Sequence, residues 1–579
     1  MSKLKISDET NIERIEHKSK KNMAIGTIVG YLSILISIVH GLVLTPMIME
    51  AVGVERYGLF GIATTIITLF LVDFGLTTTT ETYSAKLRAA GDKEGVQRFL
   101  ATVFKMYLTL NILMLIIIAV LYFIAPYMYA HSYPDPNDIK TLQTLLLIVG
   151  GYTLVSFPTS TFSGMITTYE KFGFNKFADL IQKAIYFVGT FLVIKSGLNE
   201  TDKLIYVTVI NISSFVTAIV IRYFYMRFYL GIKLDLRLNV SKSDLKSIFV
   251  FSAWGLIIAI GNRLVFNITP SILGIVSVGD QVSMFMLVNT IEGYVFMFGA
   301  MTGTFFMAKV ARVEASGTVE EKRAKLLALT QKIGKLQFVV IGLILFGFAA
   351  VGQEFIQFWL SEQLATNPDF INIYWGILAI CAYELVRIPE LPFYNAMLTE
   401  GHIRPLAINT LIKATINISS SFILSYYFGA MGACISIATS RIIDLVLNNF
   451  AYKKYLGVSL SKFFSFIYIR GGITVAISFG VALLCHFFMP ISNIIGKFMV
   501  DGIIFVLLYI ICTLFITFTK DERHYYLNII FEILHIKKRV EVNGVTPEVP
   551  GPFPEVEDLQ KEESQPVEEE KKEETDGQD

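Results

Sequence analysis

Along this chain, apolar runs of spanning length alternate with short polar stretches, a pattern far coarser than the two-residue period of a strand. The runs fall near 23–47, 58–80, 102–125, 142–166, 177–196 and 204–225. Six more lie near 248–275, 282–306, 336–352, 371–395, 406–428 and 431–451, and two near 466–488 and 496–518. The pattern predicts an all-α integral membrane protein with about fourteen transmembrane helices.

Charge sorts the loops between these runs. Loops after even-numbered helices carry Lys86, Arg88 and Lys93, then Lys171 and Lys176, then Arg227, Lys233, Arg237, Lys242 and Lys246. The later ones carry Lys309, Arg312, Lys322, Arg323 and Lys325, then His402 and Arg404, then Lys453, Lys454 and Lys462. Loops after odd-numbered helices are short or acidic, with Glu50, Glu55, Asp135, Asp138, Asp280, Glu354, Glu362 and Asp369. Positive residues collect on the cytoplasmic side, so we expect an even helix count and both termini in the cytoplasm.

The chain also repeats. A shift of 224 residues lays Thr45–Pro46 over Thr269–Pro270, Phe74–Gly75 over Phe298–Gly299 and Arg88 over Arg312. Six helices per unit is an even number, so the halves should be two parallel six-helix repeats forming two lobes, with two extra C-terminal helices. The expected boundaries are a cytoplasmic leader at 1–22, an N-lobe at 23–228, a cytoplasmic linker at 229–247 and a C-lobe at 248–455. The last two helices occupy 456–519, an amphipathic cytoplasmic segment 520–540, and a disordered acidic tail 541–579.

Composition narrows the class. Of 579 residues, 54% are hydrophobic and 17% charged, against about 25% charged in soluble domains. Cys381, Cys434, Cys485 and Cys512 sit far apart in apolar runs, with neither a disulfide framework nor zinc spacing. No phosphate-binding loop, metal-ligand cluster or large outer domain is visible, so we expect no cofactor, no metal and no enzyme activity. Nothing points to a nucleic-acid partner.

One stretch, Arg56 to Arg98, stands apart. Its helix carries Asp73, Thr77 and Glu81 on one face, and insertion scales charge roughly 2.5–3.5 kcal/mol for a carboxylate at mid-membrane. A protein-lined interior suits that face better than lipid. The sequence YGLFG, a polar-flecked apolar helix, DFGL and then YSAKLRAAGD resembles the second helix and following loop of polysaccharide flippases. Those belong to the multidrug/oligosaccharidyl-lipid/polysaccharide exporter superfamily. The resemblance implies a cell-membrane, multi-pass transporter moving a polyprenyl diphosphate-linked oligosaccharide by alternating access.

Other intramembrane polar groups read directly as candidate site residues. Arg263 and Asn267 lie one turn apart in the seventh helix, and Asn409, Lys413 and Asn417 stripe the eleventh. Arginine grips diphosphate with two parallel hydrogen bonds and amides bond sugar hydroxyls, so these five, with His40, are the expected substrate contacts. Asp73, Glu292 and Glu384 are the expected coupling sites for a proton or sodium ion. Glu384 with Arg387 and Arg441 with Asp444 are spaced to neutralise each other. Lys183 reads as a lysine that snorkels from a helix end, and Pro389 and Pro392 should break the tenth helix. Membrane lipids and polysaccharide assembly proteins are the expected partners. The alternatives are a multidrug or small-metabolite antiporter of the same superfamily, and a membrane enzyme acting on lipid-linked sugars.

Overall fold

The structure, a computed structural model, describes residues 30–70, 84–237, 242–314, 318–360, 371–488, 493–524 and 527, apart from 31, 85–86, 89–90 and 170. The described elements are helices. In the first half they are α1 (Leu32–Val52), α2 (Val54–Phe70), α3 (Lys93–Tyr129), α4 (Pro136–Thr168), α5 (Phe172–Ile194) and α6 (Glu200–Tyr229). In the second, α7 runs over Lys242–Phe266 and resumes as Thr269–Val276, followed by α8 (Gly279–Glu314) and α9 (Val319–Trp359). α10 comes in three pieces, Ile371–Cys381, Glu384–Arg387 and Leu391–Thr399. α11 (403–428) and α12 (430–451) are the arms of the continuous Ile403–Ala451, and α13 (Leu460–Phe488) and α14 (Ile494–Thr517) close the bundle.

Polar residues in the connections start these helices. Asp92 accepts the Gly95 N–H at 2.7 Å, and Asp135 accepts that of Asn137 at 2.8 Å beside a proline in the first turn. Thr318 and Glu321 form a reciprocal capping box at the head of α9. At Gly429, φ is +55° and ψ is −135°, which folds α11 back on α12. One break in α10, at 388–390, takes in the expected Pro389, and another lies earlier, at 382–383; carbonyl groups near both find side-chain donors. Arg441 Nη1 bonds the Ile380 oxygen at 3.1 Å, and the Tyr468 hydroxyl bonds that of Leu385 at 3.0 Å.

Eleven described helices are long and apolar enough to cross a membrane, with the rod from Ile403 to Leu456 taken as one. That 54-residue rod would measure about 80 Å straight, nearly three bilayer cores, so its bend divides it into two crossings. In the first half α3 packs on α4, α5 on α6, and α4 on both α2 and α6. In the second, α7 packs along the α11–α12 hairpin, α10 on α8 and α12, and α13–α14 on α9.

The halves share an apolar core towards one end. One apolar core there joins Leu44, Ile48 and Leu59 to Leu273, Phe285 and Ile377. The Trp359 indole donates to the Leu42 carbonyl at 2.6 Å, Ser132 to that of Ser277 and Ser283 to that of Val54. Towards the other end, which carries the basic loops, each half has its own core. Phe99, Tyr107 and Phe157, and separately Leu100 and Phe162, fill the first half, while Phe338, Phe393 and Phe463 fill the second. The result is two bodies joined at a closed end.

Candidate functional site

The second half buries a network of charges. Arg441 on α12 meets Glu292 on α8 at 2.9 Å, both nearly inaccessible, and its guanidinium lies 4.9 Å from the Phe266 ring. Lys413 on α11 meets Asp444 on α12 at 3.3 Å and Asn262 on α7 at 3.1 Å. The Tyr383 hydroxyl donates to the same Asp444 oxygen at 2.8 Å. The expected pairing of Arg441 with Asp444 is therefore corrected: each turns to a different helix. The i, i+3 spacing permits a pair, but Glu292 on α8 and Lys413 on α11 present opposite charges closer to each residue. Glu384 and Arg387 do pair, at 3.3 Å, with Arg387 under the Phe296 ring. Glu384 Oε1 is buried without a hydrogen bond.

Two of the other amides knit helices together. Asn409 donates to Asn448 at 2.9 Å, and Asn417 donates to Thr269 and accepts from Ser436 at 3.2 Å each. A cavity of about 40 Å³ remains between α7, α10, α11 and α12, lined by Asn262, Arg387, Glu390, Lys413 and Asp444 among others. That is room for one or two waters. Glu390, absent from the sequence reading, is buried there and accepts from Asn449 at 2.9 Å.

Arg263 sits half-buried on α7 and donates to the Thr68 carbonyl of α2 at 2.6 Å, reaching from one half to the other. Asn267 lies one turn on, also half-buried. Asp73 lies outside the described residues.

The first half is different. His40 on α1 packs between Tyr186 and Phe187 of α5, ring centroids 5.4 and 5.9 Å away, and its Nε2 is buried without a partner. Lys183, one turn from Phe187, donates to the carbonyl and hydroxyl oxygens of Ser33, at 3.1 and 3.2 Å, and to the Ser37 hydroxyl. Snorkelling is thus corrected. Lys183 is the central residue of Phe172–Ile194, about 16 Å from either helix end, beyond a lysine's reach.

The expected contacts are therefore split. Arg263 and Asn267 stand where the halves meet, Lys413, Asn409 and Asn417 are bonded within the second half, and His40 joins Lys183 in the first.

Residues 20–305 match the family described as polysaccharide biosynthesis protein. Lipid II flippase MurJ in an inward closed conformation aligns with a TM-score of 0.60 at 14% identity, covering 88% of this chain and 100% of that one. An inward-facing multidrug resistance MATE family transporter of the MOP superfamily aligns at 0.59 and 12% identity, over 74% of this chain and 98% of that one. A MOP superfamily transporter from Pyrococcus furiosus, reported to have reversed binding-pocket polarity, aligns at 0.53 and 14%, over 76% and 96%. No curated protein matches the sequence.

Proposed function

We propose that this chain, a multi-pass membrane protein with the fold of the MOP-superfamily transporters and a polysaccharide biosynthesis match through its first half, is a flippase for a polyprenyl diphosphate-linked oligosaccharide. The observation that carries this is Arg263, an obligate cation at mid-helix where the two halves meet. A guanidinium in that place suits an anionic head group and opposes a cationic drug. The lipid tail would stay in the bilayer while the head group crosses between the lobes, and rocking about the closed end would supply alternating access.

In this reading α1–α6 and α7–α12 are the two repeats. The eleven apolar helices become fourteen crossings when the Ile403–Leu456 rod is divided and α2 and the broken α10 are added. The open end and both termini would lie in the cytoplasm, on the side of the basic loops. Arg263, Asn267 and His40 contact cargo, while Lys413 and Asn417 position α7 against the α11–α12 hairpin and Asn409 ties α11 to α12. Coupling would run through Asp73 or Glu384, because Glu292 is held by Arg441. Polysaccharide assembly proteins would act on the exported head group.

The test is translocation of a lipid-linked oligosaccharide in reconstituted vesicles. Arg263→Ala should abolish it with a melting temperature near that of the wild type, and Arg263→Lys should keep part of it, since a point charge replaces a two-pronged donor. A stable, fully active Arg263→Ala protein would remove Arg263 from the site. The MATE alignment keeps a multidrug antiporter as the second reading. Wild-type vesicles that export cationic dyes and leave the lipid-linked sugar in place would favour it.

A further inference from the structure

Lys183 and Lys413 occupy matching places in the two halves. Each sits in the fifth helix of its six, and each bonds the first helix of the same six: Lys183 to Ser33 and Ser37 on α1, Lys413 to Asn262 on α7. The match extends one step further. Asp444 follows Lys413 by 31 residues, across the α11–α12 hairpin, and supplies its counter-ion. The residue at the same distance from Lys183, across the α5–α6 hairpin, is Ser214. Its hydroxyl accepts from Gln182 at 3.0 Å and donates to the Asn211 carbonyl at 2.6 Å. The first half has kept the lysine of this arrangement and has no carboxylate at the corresponding place.

Every hydrogen-bond partner of Lys183 is neutral, and no carboxylate lies within ion-pairing distance among the described residues. Asp179, one turn away on α5, is taken up by Arg222 and Lys176. A half-exposed ammonium at the middle of a membrane helix is costly unless an anion or water completes it. The donors left for an anion there are the ammonium itself and the Ser33 hydroxyl, with the buried His40 Nε2 on the same face of α1, while the Ser37 hydroxyl is turned to the Ser33 carbonyl at 2.6 Å.

Position argues the same way. Ser37 lies about 22 Å along α1 from the closed-end turn at Gly53, and Thr68, which receives Arg263, lies about 21 Å along α2 from that turn. Lys183 of one half and Arg263 of the other therefore stand at the same depth. Just towards the closed end, Tyr294 of α8 packs so tightly on Gly41 that an added Cβ would fall 1.6 Å from its hydroxyl. The lysine site lies immediately on the open side of that contact.

We propose that Lys183, with Ser33 and His40, is the first-half anion site, and that it takes a phosphate group of the diphosphate head. This rests on the flippase reading and deepens it. The cargo's anion plays the part that Asp444 plays for Lys413, so an empty site leaves one half with an unmatched cation and a loaded one restores the symmetry of the two halves.

Binding to the purified full-length chain in nanodiscs tests it, with farnesyl diphosphate and inorganic pyrophosphate as probes and farnesol as the uncharged control. We expect the wild type to bind farnesyl diphosphate and not farnesol, and Lys183→Gln to weaken that binding by about tenfold or more. Lys183→Arg should restore it in part. Equal affinity for pyrophosphate would support an anion site indifferent to the lipid, and preference for farnesyl diphosphate would support one reading head and tail together. Undiminished farnesyl diphosphate binding in a folded Lys183→Gln protein would overturn the inference and leave the flippase reading standing. Failure of the wild type to bind either diphosphate would overturn both.

Discussion

Two lysines at corresponding places in the two halves of this molecule are treated in opposite ways. In the second half, Arg441, Lys413 and Arg387 each lie against a carboxylate, at 2.9, 3.3 and 3.3 Å. In the first half, Lys183 holds three hydroxyl or carbonyl oxygens and no carboxylate. A matched buried cation is committed to its partner, and removing either member strands the other. An unmatched one keeps its field for something that arrives from outside. Two lysines that look alike in sequence thus fall on opposite sides of the line between holding the fold and serving the cargo.

The strongest way to break this contrast is to delete a matched charge. Arg441→Ala leaves Glu292 buried and uncompensated, and should lower stability by about 3–5 kcal/mol, read as thermal unfolding in detergent. The double change Arg441→Met with Glu292→Leu should regain most of the loss, since it removes both charges and keeps the volume. Lys183→Gln, which strands no carboxylate, should cost no more than about 1 kcal/mol. Equal melting of Arg441→Ala and the wild type would show that the second-half network does not hold the fold.

The second way is to loosen the end where the halves meet. Gly58 on α2 faces α8, and a Cβ there would lie 2.9 Å from the Gly279 carbonyl and 2.6 Å from the Tyr133 hydroxyl. Gly58→Ala should therefore penalise the closed contact by about 1–3 kcal/mol. The readout is a cysteine substituted for Ser277, whose labelling by a membrane-impermeant thiol reagent should rise in the Gly58→Ala background. Unchanged labelling would place the hinge elsewhere and remove the argument that Lys183 lies beneath a closed gate.

The helices were legible because a bilayer imposes one length and one polarity on every crossing, so α3 to α6 and α13 to α14 fall close to their apolar runs. The break at Pro389 followed from proline's missing donor, and the turn at Gly429 from a glycine between two runs. The charge pairing was legible only within one turn. Glu384 with Arg387 was found, but Arg441 with Glu292 joins residues 149 apart, and nothing local encodes that. Lys183 was missed for the complementary reason. Its apolar run begins late, at 177 against the helix start at Phe172, which moves the lysine towards a helix end and makes snorkelling the natural account. The comparison with Lys413 needed the structure, since the hairpins align by a spacing of 31 residues that the shift of 224 does not bring into register.

The smallest expected effect concerns a third lysine, matched like Lys413 but by a carboxylate beyond the last spanning helix. Lys335 on α9 is buried beside the Phe466 ring and binds both oxygens of Glu522, just beyond α14, at 2.9 and 3.0 Å. Burial pushes the Glu522 carboxyl up, but hydrogen bonds from the Thr519 backbone N–H and from Lys335 outweigh it and hold the carboxyl below the ordinary glutamate value of 4.5. A carboxyl lowered in the folded state contributes stability that is complete above its unfolded value and is lost as the pH falls through the folded one. Glu522 is partly exposed, so its contribution is screened and should reach only about 1 kcal/mol. Glu522→Gln should accordingly melt slightly below the wild type at pH 7, and the difference should shrink as the pH falls below 4.5. A gap that persists unchanged at low pH would mean that Lys335 does not depend on the ionised carboxylate, and the rule that buried cations in the second half are matched by charge would lose its most accessible example.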